Sequence, residues 1–98
     1  MIKVRLHGRP KATAGLEEIE VTQPVRTFRD LLHALNQMLG EGFVGHLFDP
    51  GTRTLSSNVI LLVNGHSIKM LAGLETPLLD KDTVTIDSVD ILEIVGGG

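Results

Sequence analysis

The amino-acid sequence predicts an α+β fold, a mixed sheet of four to five strands with one main helix packed across it. Three observations lead there. Apolar and polar residues alternate at the start of the chain and again in its last third, which is the period of a half-buried strand. One stretch near residue 30 instead repeats its apolar residues at helical spacing. Strand patterns lie on both sides of that stretch, so the helix has a sheet to cover.

The chain has 98 residues, the size of one domain. A single domain over residues 1–98 is expected, with a flexible C-terminal tail at 95–98. A composition of 42% hydrophobic and 21% charged residues supports one compact core and argues against disorder. With three Phe and no Tyr or Trp, that core must be built from Leu, Ile and Val.

In order, Ile2, Val4 and Leu6 alternate with Lys3, Arg5 and His7 as a strand. Gly8 to Gly15 reads as a loop, with Pro10 and Gly15 as breakers. Leu16 to Thr22 alternates again, which suggests an opening hairpin. Thr27 is a good helix N-cap with Asp30 three residues on. Phe28, Leu31, Leu32, Leu35, Met38 and Leu39 then form an apolar face, and Gly40 or Gly42 ends a helix over about Thr27 to Leu39. Gly42 to Asn58 reads as a surface excursion with a type II turn at Asp49-Pro50-Gly51-Thr52. Val59 to Val63 is a continuous apolar run, expected as a strand buried on both faces. Asn64-Gly65 is a strong hairpin signal, with His66 to Lys69 as the short partner strand. Leu71 to Leu79 is a compact connection closed by Pro77, Asp80-Lys81-Asp82 a turn, and Thr83 to Ile86 a strand. Apolar alternation shifts phase between Ile86 and Val89, which suggests a bulge or turn at Asp87-Ser88-Val89-Asp90. Val89 to Val95 reads as a last extended segment before Gly96-Gly97-Gly98. Two strands, a long helix and further strands are the order of the β-grasp, the ubiquitin-like fold.

Composition also excludes function classes. A net charge of -3, with no basic stripe and no aromatic platform, argues against nucleic acid. The absence of cysteine removes disulfides, thiolate nucleophiles and thiolate metal sites together. Charges interrupt the first residues at once, so no signal peptide is read, and Val59 to Val63 is too short to span a bilayer. A cytoplasmic protein without a membrane partner is expected. The four histidines, His7, His33, His46 and His66, show no paired metal motif and read as isolated surface residues. Asp87 and Asp90 read as solvated turn carboxylates. No catalytic or metal site is expected.

The tail is the exception. Three glycines in succession contribute no side chain to packing. A Gly-Gly end is thin, adopts nearly any backbone angle, and can thread a channel where a Cβ would clash. Its carboxylate is open to attack on a phosphate and becomes an acyl donor once adenylated. A frayed end with no role is the plain alternative.

Several residues carry a family likeness. Val63-Asn64-Gly65, Leu71-Ala72-Gly73-Leu74-Glu75-Thr76-Pro77-Leu78, Asp80-Lys81-Asp82-Thr83-Val84 and Gly97-Gly98 resemble the MoaD/ThiS group of ubiquitin-like sulfur carriers, which includes the archaeal small modifier proteins. The segment Thr27-Phe28-Arg29-Asp30-Leu31-Leu32 is similar in position and spacing. The resemblance implies that a ubiquitin-activating-type enzyme adenylates the Gly98 carboxylate with ATP and that sulfur then replaces one oxygen. It implies Gly98 as the reactive residue and Gly96 and Gly97 as the threading segment, with no cofactor bound to the chain. In the molybdopterin branch the large synthase subunit receives the tail and the sulfur passes to a pterin precursor of the molybdenum or tungsten cofactor. In the thiamin branch the acceptor becomes a thiazole. In the modifier branch Gly98 joins a target lysine. A β-grasp interaction domain with an inert tail is the remaining reading. The approach Ile91-Leu92-Glu93-Ile94-Val95 has no proline pair, and a third glycine follows it, which leaves the branch open. Leu62, Ile68, Met70, Ile91, Leu92 and Ile94 are the candidates for a partner interface.

Overall fold

The computed structural model describes residues 1–49 and 51–88, with the backbone alone at residue 41. The elements run β1 (Ile2–Leu6), α1 (Gly8–Ala14), β2 (Glu18–Val21), α2 (Phe28–Leu39), α3 (Glu41–Gly45), β3 (Val59–Val63), β4 (His66–Ser67) and β5 (Thr83–Ser88). Short 3-10 turns at Ile68–Met70 and Gly73–Glu75 lie between β4 and β5. The sheet order is β2-β1-β5-β3-β4. The central pair β1 and β5 is parallel, and every other pair is antiparallel. This is the α+β, β-grasp architecture expected from the order of patterns. Among the described residues no helix is long and apolar enough to cross a membrane.

Alternation in β1 sends Ile2, Val4 and Leu6 to one face, where register aligns them with Val21 and Ile19 of β2 and with Val84 and Ile86 of β5. Val59, Leu61 and Val63 of β3 join the same face. Helix α2 covers it with Phe28, Leu31, Leu32, Ala34 and Leu35, all buried. Met38 is 49% exposed although it shares this face, lying in angle between Leu31 and Ala34 at about 100° per residue. Its place along the helix, in the last turn, sets it apart from the buried residues, which all lie between Phe28 and Leu35.

The start of α2 is set locally. The Thr27 hydroxyl accepts from the Asp30 N–H at 3.3 Å, and the Asp30 carboxylate accepts from the Thr27 N–H at 3.3 Å and the Arg26 N–H at 3.1 Å. Asp30 thus takes the place of the usual Glu in a reciprocal capping box. Thr27→Ala should cost about 1 kcal/mol, a fall of about 4–8 °C in the thermal midpoint of a domain this size, measurable by calorimetry. Gly40, at φ 92°, ends the helix, and its N–H donates to the Asn36 carbonyl at 2.9 Å.

Two helices depart from the sequence reading. The stretch from Gly8 to Gly15 forms α1 rather than a loop. Pro10 sits in its first turn, where a missing N–H costs nothing, and it is buried. Gly15, at φ 71°, is the left-handed stop, with its N–H donating to the Lys11 carbonyl at 2.8 Å. The residues read as breakers are therefore the start and stop of a helix. The short helix α3 follows α2 directly and lets Phe43 and Leu47, four residues apart, enter the core together.

The rest follows with local corrections. Asn64 and Gly65 take φ of 50° and 86°, the pair of positive angles that a tight hairpin turn needs. The Asn64 side chain also ties the turn to β5, accepting from the Thr83 N–H at 2.9 Å and donating to Asp82 at 3.1 Å. Strand β4 stops at Ser67 rather than Lys69, because the chain curls at Ile68–Met70 to carry Ile68 inward. Strand β3 is covered on one face only: Ile60 and Leu62 are half-buried, and β3 is second from the sheet edge. Gly51 lacks the positive φ of a type II turn. The positive angle falls at Arg53, and the Asp49 side chain holds the loop by accepting from the Gly51 and Thr52 N–H groups. Strand β5 continues without a bulge through Asp87 and Ser88, which pair with Ile60 and Val59. Asp87 is therefore a strand residue rather than a turn carboxylate. The expected shift at Val89 and the extended segment Val89 to Val95 lie outside the described residues.

Candidate functional site

Gly96, Gly97 and Gly98 lie outside the described residues, as do Ile91, Leu92 and Ile94. The geometry on hand is that of the segment from which they depart. Ser88 ends β5, and β5 is flanked by β1 on one side and β3 on the other. The tail therefore springs from a strand in the middle of the sheet, the part of a sheet least able to fray.

The register places two rows of residues on the face that α2 does not cover. One is Glu20, Lys3 and Thr83; the other is Glu18, Arg5, Thr85, Leu62 and Ser67. Asp87 and Ile60 form a third pair nearest the tail. The β1–β2 half is charged, with Arg5 3.7 Å from Glu18 across the strands, an exposed pair of little energetic weight. The β3 half is apolar, carrying Ile60 and Leu62. The threonines of β5 separate the two.

Among the side chains singled out for a partner interface, Leu62 sits half-buried on this open face. Met70 is 82% exposed just beyond β4, and Leu71 beside it is 50% exposed. Ile68 is 2% exposed and belongs to the core, so it presents nothing to a partner. Ile60 was not singled out from sequence, because a run of five apolar residues does not say which face of its strand stays open. Its pairing with Asp87, the last row before the tail, is a non-local fact.

The four histidines are scattered: His7 at the end of β1, His33 on α2, His46 after α3 and His66 in β4, all exposed. Among the described residues no three His, Cys, Asp or Glu side chains come together as a metal ligand set. A cleft of about 250 Å³ opens between α1, α3 and the ends of β3 and β5, and Arg9, Pro10, Phe43, Leu47, Val59 and Ser88 are among its walls. Both helices missed in the sequence thus meet at the root of the tail.

A family model, described as the ThiS family, matches residues 4–98. The chain belongs to the ThiS family. It is thereby one of the ubiquitin-like sulfur carriers and modifiers. The match runs through the tail to Gly98. Among solved structures, the small archaeal modifier protein 1 of Methanosarcina acetivorans is 27% identical, with a TM-score of 0.74 over 89% of this chain and 90% of that one. Mycobacterium tuberculosis CysO superposes with a TM-score of 0.80 at 22% identity, covering 92% of this chain and 100% of that one. Urm1 of Sulfolobus solfataricus gives a TM-score of 0.64 at 23% identity, covering 89% and 99%. At those last two identities the likeness is one of fold. No curated protein matches the chain.

Proposed function

We propose that this ThiS-family chain carries sulfur on the carboxylate of Gly98 for the biosynthesis of the molybdenum or tungsten pterin cofactor. A ubiquitin-activating-type enzyme joins the carboxylate to AMP from ATP and releases pyrophosphate. The terminal sulfur of a donor persulfide attacks the acyl carbon, and AMP leaves with one carboxylate oxygen. A thiol then cleaves the sulfur–sulfur bond, leaving a thiocarboxylate on Gly98 and a disulfide on the donor. The large subunit of a pterin synthase receives the loaded tail. The catalytic groups belong to these partners, and the chain is a carrier that binds no cofactor itself.

The observation that best supports this reading is the family match through Gly98, in a tail rooted on the central strand β5. Intact mass tests it. After incubation with an adenylating enzyme, ATP and a persulfide donor, the protein should gain the mass difference of one oxygen replaced by sulfur. An unchanged mass with enzymes that load other carriers of the group counts against it.

A second reading has its own support. The relative at 27% identity is named a modifier protein. If Gly98 forms isopeptide bonds, digestion of cell extracts should release target peptides with Gly-Gly remnants on lysine.

The docking surface for the activating enzyme is the apolar half of the open face, Ile60 and Leu62, next to the tail root. An interface core excludes charge. Leu62→Glu should weaken binding of the adenylating enzyme about tenfold or more while shifting the thermal midpoint by only a few degrees, since its side chain faces away from α2. Titration calorimetry beside thermal unfolding checks both halves. Undiminished affinity would remove this face from the interface.

A further inference from the structure

We propose that Ser88 is a positioning residue for the tail, clamped by the backbone of Gly8 and Arg9. The proposal rests on the reading of Gly98 as the group that is activated. Its basis is what happens where β1 and β5 part. Their parallel register ends at Leu6 and Ile86, and the His7 N–H donates to the Ile86 carbonyl at 3.0 Å. Strand β5 runs on for two more residues. Its β3 flank stays paired, Asp87 with Ile60 and Ser88 with Val59, but its β1 flank has lost its strand.

Gly8 and Arg9 take over on that flank. The chain turns at Gly8 with φ 61°, and the Arg9 N–H donates to the Ser88 hydroxyl oxygen at 3.1 Å. The approach is so close that a Cβ on Gly8 would lie 2.7 Å from that oxygen and 3.1 Å from an Asp87 carboxylate oxygen. The left-handed backbone and the missing side chain are both needed, and glycine alone supplies both. The preceding residue, His7, makes no side-chain cap bond, so Ser88 supplies from the far end of the sequence the acceptor that α1 lacks locally.

Ser88 is the residue from which the remaining ten, 89–98, depart. A clamp on both flanks fixes where the tail begins. It lowers the freedom lost when a partner threads the tail, a contribution to binding rather than to the chemistry at Gly98.

The test uses the full chain and its adenylating enzyme, following pyrophosphate release. Ser88→Ala should raise KM for the carrier about fivefold, the worth of one ordinary hydrogen bond, with kcat within about twofold. Ser88→Thr, which keeps the hydroxyl, should restore KM. Gly8→Ala should raise KM further. Amide hydrogen exchange supplies a reading independent of activation: in Ser88→Ala the Arg9 amide should exchange faster while those of Val4 and Val84 stay protected. A Ser88→Ala protein with wild-type KM overturns the proposal, as does unchanged exchange at Arg9. A wild-type chain that is never adenylated sinks the reading of Gly98 instead, so the two failures are distinct.

Discussion

Deleting Gly97 and Gly98 should leave the fold intact and reduce thiocarboxylate formation by at least about 100-fold, as expected when the reacting group itself is displaced. The shortened chain still ends in a carboxylate, that of Gly96, so chemistry alone does not separate the two proteins. Position does. Two residues of extended chain span about 7 Å, and misplacement by about 1 Å is already enough to cost an enzyme two orders of magnitude. Gly97→Val separates threading from reach. It keeps Gly98 and the length but adds a branched Cβ in the segment proposed to thread a partner's channel, and on that proposal it should fail nearly as badly. Neither change alters a residue of the buried set that α2 closes over the sheet, so thermal unfolding should be unaltered. Intact mass after loading is the measurement. Full loading of the deletion variant would remove both the carrier and the modifier readings.

What could be read along the chain was whatever is settled within a few residues. Thr27 and Asp30 are three apart, and their reciprocal bonds form whatever surrounds them. Asn64-Gly65 dictates its own turn. Gly96, Gly97 and Gly98 lie outside the described residues, and the proposal for the tail rests on the sequence and on the family match that runs through Gly98. The departures are non-local or ambiguous in period. Pro10 and Gly15 serve equally as loop breakers or as the first turn and stop of a helix, and the difference lies in what Pro10 packs against. Val59 to Val63 is apolar throughout, so its alternation of buried and half-buried residues emerges only once α2 covers one face. Ile68 and Met70 stand two apart, yet one is core and the other 82% exposed, because a 3-10 turn replaces the strand that would have put both on one face. The Arg9–Ser88 bond spans 79 residues, beyond any local pattern.

The second large effect concerns stability. Phe28→Ala should lower unfolding free energy by about 3–5 kcal/mol, in the range for deleting a fully buried ring. Phe28 is 0% exposed and is the largest fully buried side chain among the described residues. Its N–H donates to the Thr76 carbonyl at 3.0 Å, and Thr76 is itself buried, its hydroxyl donating to the Gly73 carbonyl at 2.6 Å and accepting from the Ala72 N–H at 3.1 Å. That main-chain bond survives the substitution, so the loss is one of packing, and the start of α2 should stay docked on the Thr76–Leu78 segment. At about 4–8 °C per kcal/mol for a domain this size, the thermal midpoint should fall by about 12–40 °C. Met38→Ala, at a site 49% exposed on the same helix, is the matched control and should move stability by less than about 0.5 kcal/mol. The same pair tests how the core serves the tail. Strand β5 is held between β1 and β3 by residues that α2 covers, so at a temperature where Phe28→Ala is partly unfolded, loading of Gly98 should fall in proportion to the folded fraction and recover on cooling. Loading that stays complete while the chain unfolds would mean that the activating enzyme reads the tail alone, with no need of the sheet from which it springs.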